Sequence, residues 1–184
     1  MADNDDFDTV VDELNSESVT IEREMKTFPL CPKGMHKGKC IKAELKETEF
    51  EGRKEMKLSL TWELEAQFDD ERDGETVKKN YRVFDTLGLY FGPKARLHKV
   101  FKELTGEDVK ALVKEQKIKK DGRDFIRSTF SYPAFMEMKA DILIRHQEGK
   151  SDPSKVYANI DTYSCDEATQ KANAALVFED GTGK

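Results

Sequence analysis

The residues from Met56 to Ala66 read Met-Lys-Leu-Ser-Leu-Thr-Trp-Glu-Leu-Glu-Ala, with apolar and polar side chains in strict alternation. Successive side chains of a β-strand point to opposite faces of the sheet, so this pattern predicts a strand with one buried face. Trp62 has the same parity as Leu60 and Leu64. We therefore expect Trp62 to lie in the hydrophobic core.

Two further strands are predicted on either side of this one. Ile41, Ala43 and Leu45 alternate with polar residues, and the polar segment 49–53 joins them to the strand from Met56 as an antiparallel hairpin. After the charged turn 69–74, a third strand is predicted from Thr76 to about Leu87.

The pattern then changes from strand to helix and back. Apolar residues at 97, 100, 101 and 104 have helical spacing, with Pro93 suited to a first turn and Gly106 to the end. A short helix is predicted from Glu107, and it gives way to a basic polar run at 117–123. Alternation returns at 135–147 and 156–163, which predicts a fourth and a fifth strand, and an Ala-rich helix is expected over 166–176.

This order of elements predicts a mainly β fold with helices, of the α+β class. Three strands, a helix and two strands are the order of the OB-fold, a five-stranded antiparallel barrel with its helix between strands 3 and 4. The alternative is an open β-sandwich or α+β sheet with the same elements. Since only 37% of the 184 residues are hydrophobic, the core must be small, as in a sheet that buries one face.

The charge divides the chain into two parts. Residues 1–25 contain nine acids and one base, a charge of −8, so the net charge of −6 leaves +2 for the remainder. We expect an acidic, flexible tail over 1–25, an OB-fold-like domain over 26–165, and a C-terminal helix with a polar end over 166–184. No stretch is typical of a signal peptide or a membrane span, so a cytoplasmic location is expected.

The tail carries apolar residues at helical spacing, namely Phe7, Val10, Val11 and Leu14. Two interpretations stay open: a solvated, disordered leader, or a docking motif that folds on a partner or occupies the protein's own basic groove.

Three stretches carry a resemblance to a known family. They are Gly38-Lys39-Cys40-Ile41, the segment from Phe50-Glu51-Gly52-Arg53 to Leu64, and Thr86-Leu87-Gly88-Leu89 with the helix that follows. In element order and hydrophobic pattern, residues 30–165 resemble small bacteriophage OB-fold-like proteins that bind single-stranded DNA in replication and recombination. The resemblance implies that function here. It also implies replication or recombination proteins as partners of the acidic tail, although that tail stands at the C-terminus in many such proteins.

Single-stranded nucleic acid is held by basic side chains that contact phosphates and by aromatic rings on which bases stack. Both residue types occur at positions predicted to face solvent. The candidate residues are Lys42, Lys46, Arg53, Lys54, Lys57, Lys78, Arg82, Phe84, Arg145, Tyr157 and Tyr163. A homo-oligomer remains open. The alternative function is a protein-interaction module or inhibitor that uses the acidic tail as a docking peptide or DNA mimic.

No enzyme, metal or cofactor is predicted. The three histidines have no nucleophile or carboxylate at a catalytic spacing, and no Gly-rich phosphate loop occurs. Three scattered cysteines argue against a disulfide framework. Cys31, His36, Cys40 and Cys165 form a Cys₃His set that zinc favours, but they lack the paired knuckle, so ordinary thiols are the preferred interpretation.

Overall fold

A computed structural model describes residues 29–50, 52–72 and 74–178. Within them are seven strands and two α-helices. The strands are β1 (Gly34–Phe50), β2 (Arg53–Arg72), β3 (Glu75–Gly88), β4 (Val113–Lys120), β5 (Arg123–Phe130), β6 (Lys139–Glu148) and β7 (Val156–Ser164). The helices are α1 (Arg96–Thr105) and α2 (Glu167–Phe178), and short 3₁₀ turns cover Val109–Leu112 and Tyr132–Phe135. The predicted tail and its motif of Phe7, Val10, Val11 and Leu14 lie outside the described residues.

The predicted class, mainly β with antiparallel strands and helices, is confirmed. Five strands form one sheet in the order β3-β2-β1-β6-β7, and β4 and β5 form a separate two-stranded ribbon. β1 is long because it pairs with a strand on each side: with β6 through Gly34–Lys39 and with β2 from Gly38 onward. Among the described residues, no backbone pairing joins the edge strands β3 and β7, so the sheet is not closed into a barrel.

The core lies between the inner face of this sheet and helix α1. Leu58, Leu60, Trp62 and Leu64 on β2 are all fully buried, as their alternation predicts. α1 contributes an apolar stripe that includes the fully buried Phe101. Trp62 is therefore a core residue, as expected.

None of the described helices is long and apolar enough to cross a membrane.

A bulge in β7 overturns the prediction for Tyr163. Leu143 pairs with Thr162, but the next residue, Ile144, pairs with Ile160, so Asp161 is an extra residue on β7. An extra residue reverses the alternation beyond it. Tyr163 consequently points into the core, where it is 5% exposed and its ring lies 5.2 Å from that of Trp62. It is not a surface ring on which a base could stack.

The basic segment after α1 also differs from the prediction. The short helix predicted from Glu107 is present as the 3₁₀ turn Val109–Leu112. The polar run that follows it forms the β4–β5 ribbon, whose strands pair from Val113↔Phe130 to Lys120↔Arg123. Asp121 and Gly122 connect them with φ values of 52° and 73°, the positive values that a type I′ hairpin turn requires. The described residues thus form two strands more than the five that were predicted.

Candidate nucleic-acid interface

The strand register brings five of the predicted side chains onto one surface. Lys42 lies opposite Thr61, which lies opposite Phe84; four residues nearer Gly52 on each strand, Lys46 lies opposite Lys57. Directly opposed residues point to the same side of a sheet. We use the name outer sheet face for the solvent side of β1, β2 and β3 that carries Lys42, Lys46, Lys57, Arg82 and Phe84.

Phe84 is a largely exposed apolar side chain of this face. It is 63% exposed, whereas its neighbours Val83 and Asp85 point inward and are buried. The sheet therefore presents a large aromatic ring to solvent next to the guanidinium-bearing Arg82. This is the parity that the sequence predicts for Phe84.

A second ring on the same face was not predicted. Tyr90 is 64% exposed, and its ring lies over Gly88, so close that a Cβ at position 88 would come within 2.8 Å of it. Gly88 belongs to the outer sheet face, opposite Lys57. Phe84 and Gly88 are four residues apart, roughly 13 Å along a strand, so the two rings lie along β3 beside the lysines of β1 and β2.

Each base of the outer sheet face contacts a carboxylate of the same face. Lys42 and Lys46 both contact Glu44 at 2.7 Å, Arg82 contacts Glu63 at 3.2 Å, and the more distant Lys57 lies 3.8 Å from Glu55. Hydrogen bonds from the two lysines hold the pKa of Glu44 below its usual range. Exposed pairs of this kind contribute only about 0–1 kcal/mol, so a phosphate group can replace the carboxylate at little cost.

A cleft of about 580 Å³ adjoins Phe84 where β3 faces β6 and β7. Arg145 and Arg96 line it, together with Asn159, and Arg145 contacts Asp161 at 3.0 Å. Tyr157 is 52% exposed and lies opposite Gln147, another cleft residue. Arg145 and Tyr157 therefore lie beside the outer sheet face, next to the strand that carries Phe84.

A buried polar cluster connects the two walls of this cleft. Asp85 on β3 is 6% exposed and accepts hydrogen bonds from Tyr163 Oη at 2.8 Å and from Arg96 Nη2 at 3.0 Å. Arg96 also donates to the carbonyl oxygen of Ile160 on β7. Burial, followed by the charge of Asp85, raises the pKa of Tyr163 well above its usual value. Tyr163 therefore has a structural role: as a neutral donor, it connects β7 to β3.

The other predicted residues lie away from this surface or at its ends. Arg53 and Lys54 are at the tip of the β1–β2 hairpin, and Lys54 contacts Glu47, on the opposite face from Lys46. Lys78 has the parity of Arg82 but lies on the part of β3 that pairs with 67–72. Arg53 and Lys78 therefore extend the basic surface at its ends, and Lys54 lies on the other face of the sheet.

The structure does not bring together the four side chains of the Cys₃His set. His36 Nε2 lies 2.9 Å from the carbonyl oxygen of Pro32, and the Cys165 thiol donates to the carbonyl oxygen of Lys139. Burial raises the pKa of Cys40 and of Cys165 to about 12, which disfavours the thiolate that zinc requires. No group of three or more metal-ligating side chains occurs in the described part of the chain.

Comparison of the chain with protein-family models, with curated proteins and with solved structures finds no match.

Proposed function

We propose that the protein binds single-stranded DNA without sequence preference, through the outer sheet face and the adjoining cleft. The observation that carries the proposal is the placement of two exposed rings, Phe84 and Tyr90, on a face that also carries four basic side chains. Rings on which bases stack and cations that follow the phosphates are the two parts of a single-strand site. We further propose that it acts in replication or recombination.

The strand order supports an OB-fold for this domain. An OB-fold barrel is a sheet whose first three strands form a meander and whose last two return beside strand 1, which is the order of β1, β2, β3, β6 and β7 here. The Asp85–Tyr163 hydrogen bond connects the two edge strands. A bulge at Ile41 lets β1 bend between its two partners. OB-folds bind oligonucleotides on the face of strands 2 and 3, and Phe84 lies on that face.

The chemistry of the face favours single strands of any sequence. A base can stack on Phe84 only when it is unstacked from its neighbours, and every base has a π-face, so stacking selects single strands and tolerates all sequences.

The salt dependence of binding tests the proposal. If the four bases Lys42, Lys46, Lys57 and Arg82 each contact a phosphate, log affinity for oligo-dT falls against log salt with a slope of about −3, at roughly 0.7 per contact on a single strand. The Lys42→Ala/Lys46→Ala variant loses two phosphate contacts, so its salt slope is expected to be shallower by about 1.4. The control variant Lys155→Ala/Lys171→Ala removes two exposed lysines elsewhere and leaves the slope unchanged. Equal slopes for both variants would contradict the proposed site.

A further inference from the structure

We propose that the β4–β5 ribbon is a second contact surface for the same nucleic-acid strand, an arm that extends the site beyond the sheet. The inference rests on the proposed single-strand binding. The surface is one face of the ribbon, which we call the basic ribbon face. It consists of Lys114, Gln116, Ile118 and Lys120 from β4, and Arg123, Phe125, Arg127 and Thr129 from β5.

The pairing of β4 with β5 distributes the charged side chains of the ribbon unequally between its two faces. Residues paired in the ladder point to the same side, so the basic ribbon face carries four bases and no acid. The opposite face carries Lys117 and Lys119 together with Glu115 and Asp124, and its charges cancel. A polyanion is therefore attracted to one side of the ribbon only.

Three of the four bases of this face are available, unlike those of the outer sheet face. Within the described part of the chain, Lys120, Arg123 and Arg127 have no ion-pair or hydrogen-bond partner for their side chains. A ligand that brings phosphates to them displaces no carboxylate. The occupant is thus identified by charge complementarity as a nucleic-acid backbone.

The apolar residues of the basic ribbon face suit a single strand. Phe125 is 47% exposed and lies opposite Ile118, in the middle of the four bases. No other described segment covers either face of the ribbon, as nearly all of its residues are exposed. A ring among cations on an open ribbon is the arrangement on which an unstacked base can stack.

The ribbon begins next to the outer sheet face. Phe130, at its base, packs against Phe91 with ring centroids 5.2 Å apart, and Phe91 directly follows Tyr90. Strands of eight residues reach about 27 Å from this point. A DNA strand that stacks on Tyr90 therefore passes close to the base of the ribbon, from which the basic ribbon face extends.

Two charge-matched variants test the inference. Lys120→Ala/Arg127→Ala changes the basic ribbon face, and Lys117→Ala/Lys119→Ala removes the same charge from the opposite face of the same ribbon. With a labelled oligo-dT of about 30 nucleotides, the first variant is expected to weaken binding about tenfold and to lower the salt slope by about 1.4, for two lost phosphate contacts. The second changes affinity less than threefold. Phe125→Ala weakens binding with an unchanged salt slope.

The outcomes separate the inference from the function on which it rests. If the parent protein binds oligo-dT and the two charge-matched variants weaken binding equally, the ribbon acts only through its overall charge and the inference is wrong. If Lys120→Ala/Arg127→Ala binds oligo-dT as tightly as the parent protein, the inference is also wrong. The basic ribbon face would then bind a protein partner. Absence of oligo-dT binding by the parent would refute the proposed function itself. Thermal unfolding of each variant checks that the exposed substitutions leave the fold intact.

Discussion

Replacement of Phe84 by alanine is expected to weaken the binding of single-stranded oligo-dT by about 10- to 100-fold. Each base stacked on a ring contributes about 1–3 kcal/mol, and about 1.4 kcal/mol corresponds to a factor of ten. The free energy of unfolding should change little, because the Phe84 ring is 63% exposed and points away from the buried side of β3, which carries Val83 and Asp85. Fluorescence anisotropy and urea denaturation measure the two quantities.

Met56→Ala is the matched control for this variant. Met56 is 45% exposed and lies on β2 with the opposite parity to Lys57, so its removal deletes an exposed apolar side chain from the other face of the sheet. Phe84→Tyr keeps a ring and should retain most of the affinity. If Phe84→Ala binds oligo-dT as tightly as Met56→Ala does, no base stacks on Phe84.

Trp62→Ala is expected to have the largest effect on stability, a loss of about 3–5 kcal/mol in the free energy of unfolding. Trp62 is fully buried on β2 and contacts Tyr163, the residue that connects β7 to Asp85. Its removal leaves a cavity between the two halves of the sheet. Urea denaturation followed by circular dichroism measures the loss.

Trp62→Phe supplies the control. The indole Nε1 has no hydrogen-bond partner among the described residues, so phenylalanine loses volume but no hydrogen bond, and its cost should be clearly smaller than that of alanine. A loss below about 1 kcal/mol for Trp62→Ala would show that the core does not depend on this side chain.

The sequence predicts the strands well wherever one face is buried. Alternation at 56–66 gives the strand, its inward parity and the core position of Trp62, because burial on one side imposes period two. The alternation cannot reveal the bulge at Asp161. A single extra residue in a strand leaves no mark in the sequence pattern and is visible only in the pairing of β7 with β6. The outward prediction for Tyr163 was therefore wrong.

The β4–β5 ribbon was missed for a related reason. Exposed on both faces, it has little apolar alternation, and its lysines are typical of a loop as well as of a strand. The pair Asp121-Gly122 between two short runs is the signal that predicts a hairpin there.

The candidate site was predicted in part. Parity alone predicts the exposure of Phe84 and its position on one face with Lys42 and Lys57. Tyr90 was missed because its place depends on the missing Cβ of Gly88, and the ion pairs of Lys42 and Lys46 with Glu44 depend on side-chain geometry that the pattern does not encode.

Competition between single-stranded and duplex DNA tests the central claim most directly. Labelled oligo-dT is bound to the intact protein at low salt, and unlabelled single strand or blunt duplex of the same length and mixed sequence is added as competitor. The account predicts displacement by the single strand at a concentration at least tenfold lower than by the duplex, because Phe84 and Tyr90 need unstacked bases. Equal displacement by the two competitors, or no binding of oligo-dT at low salt, would contradict it.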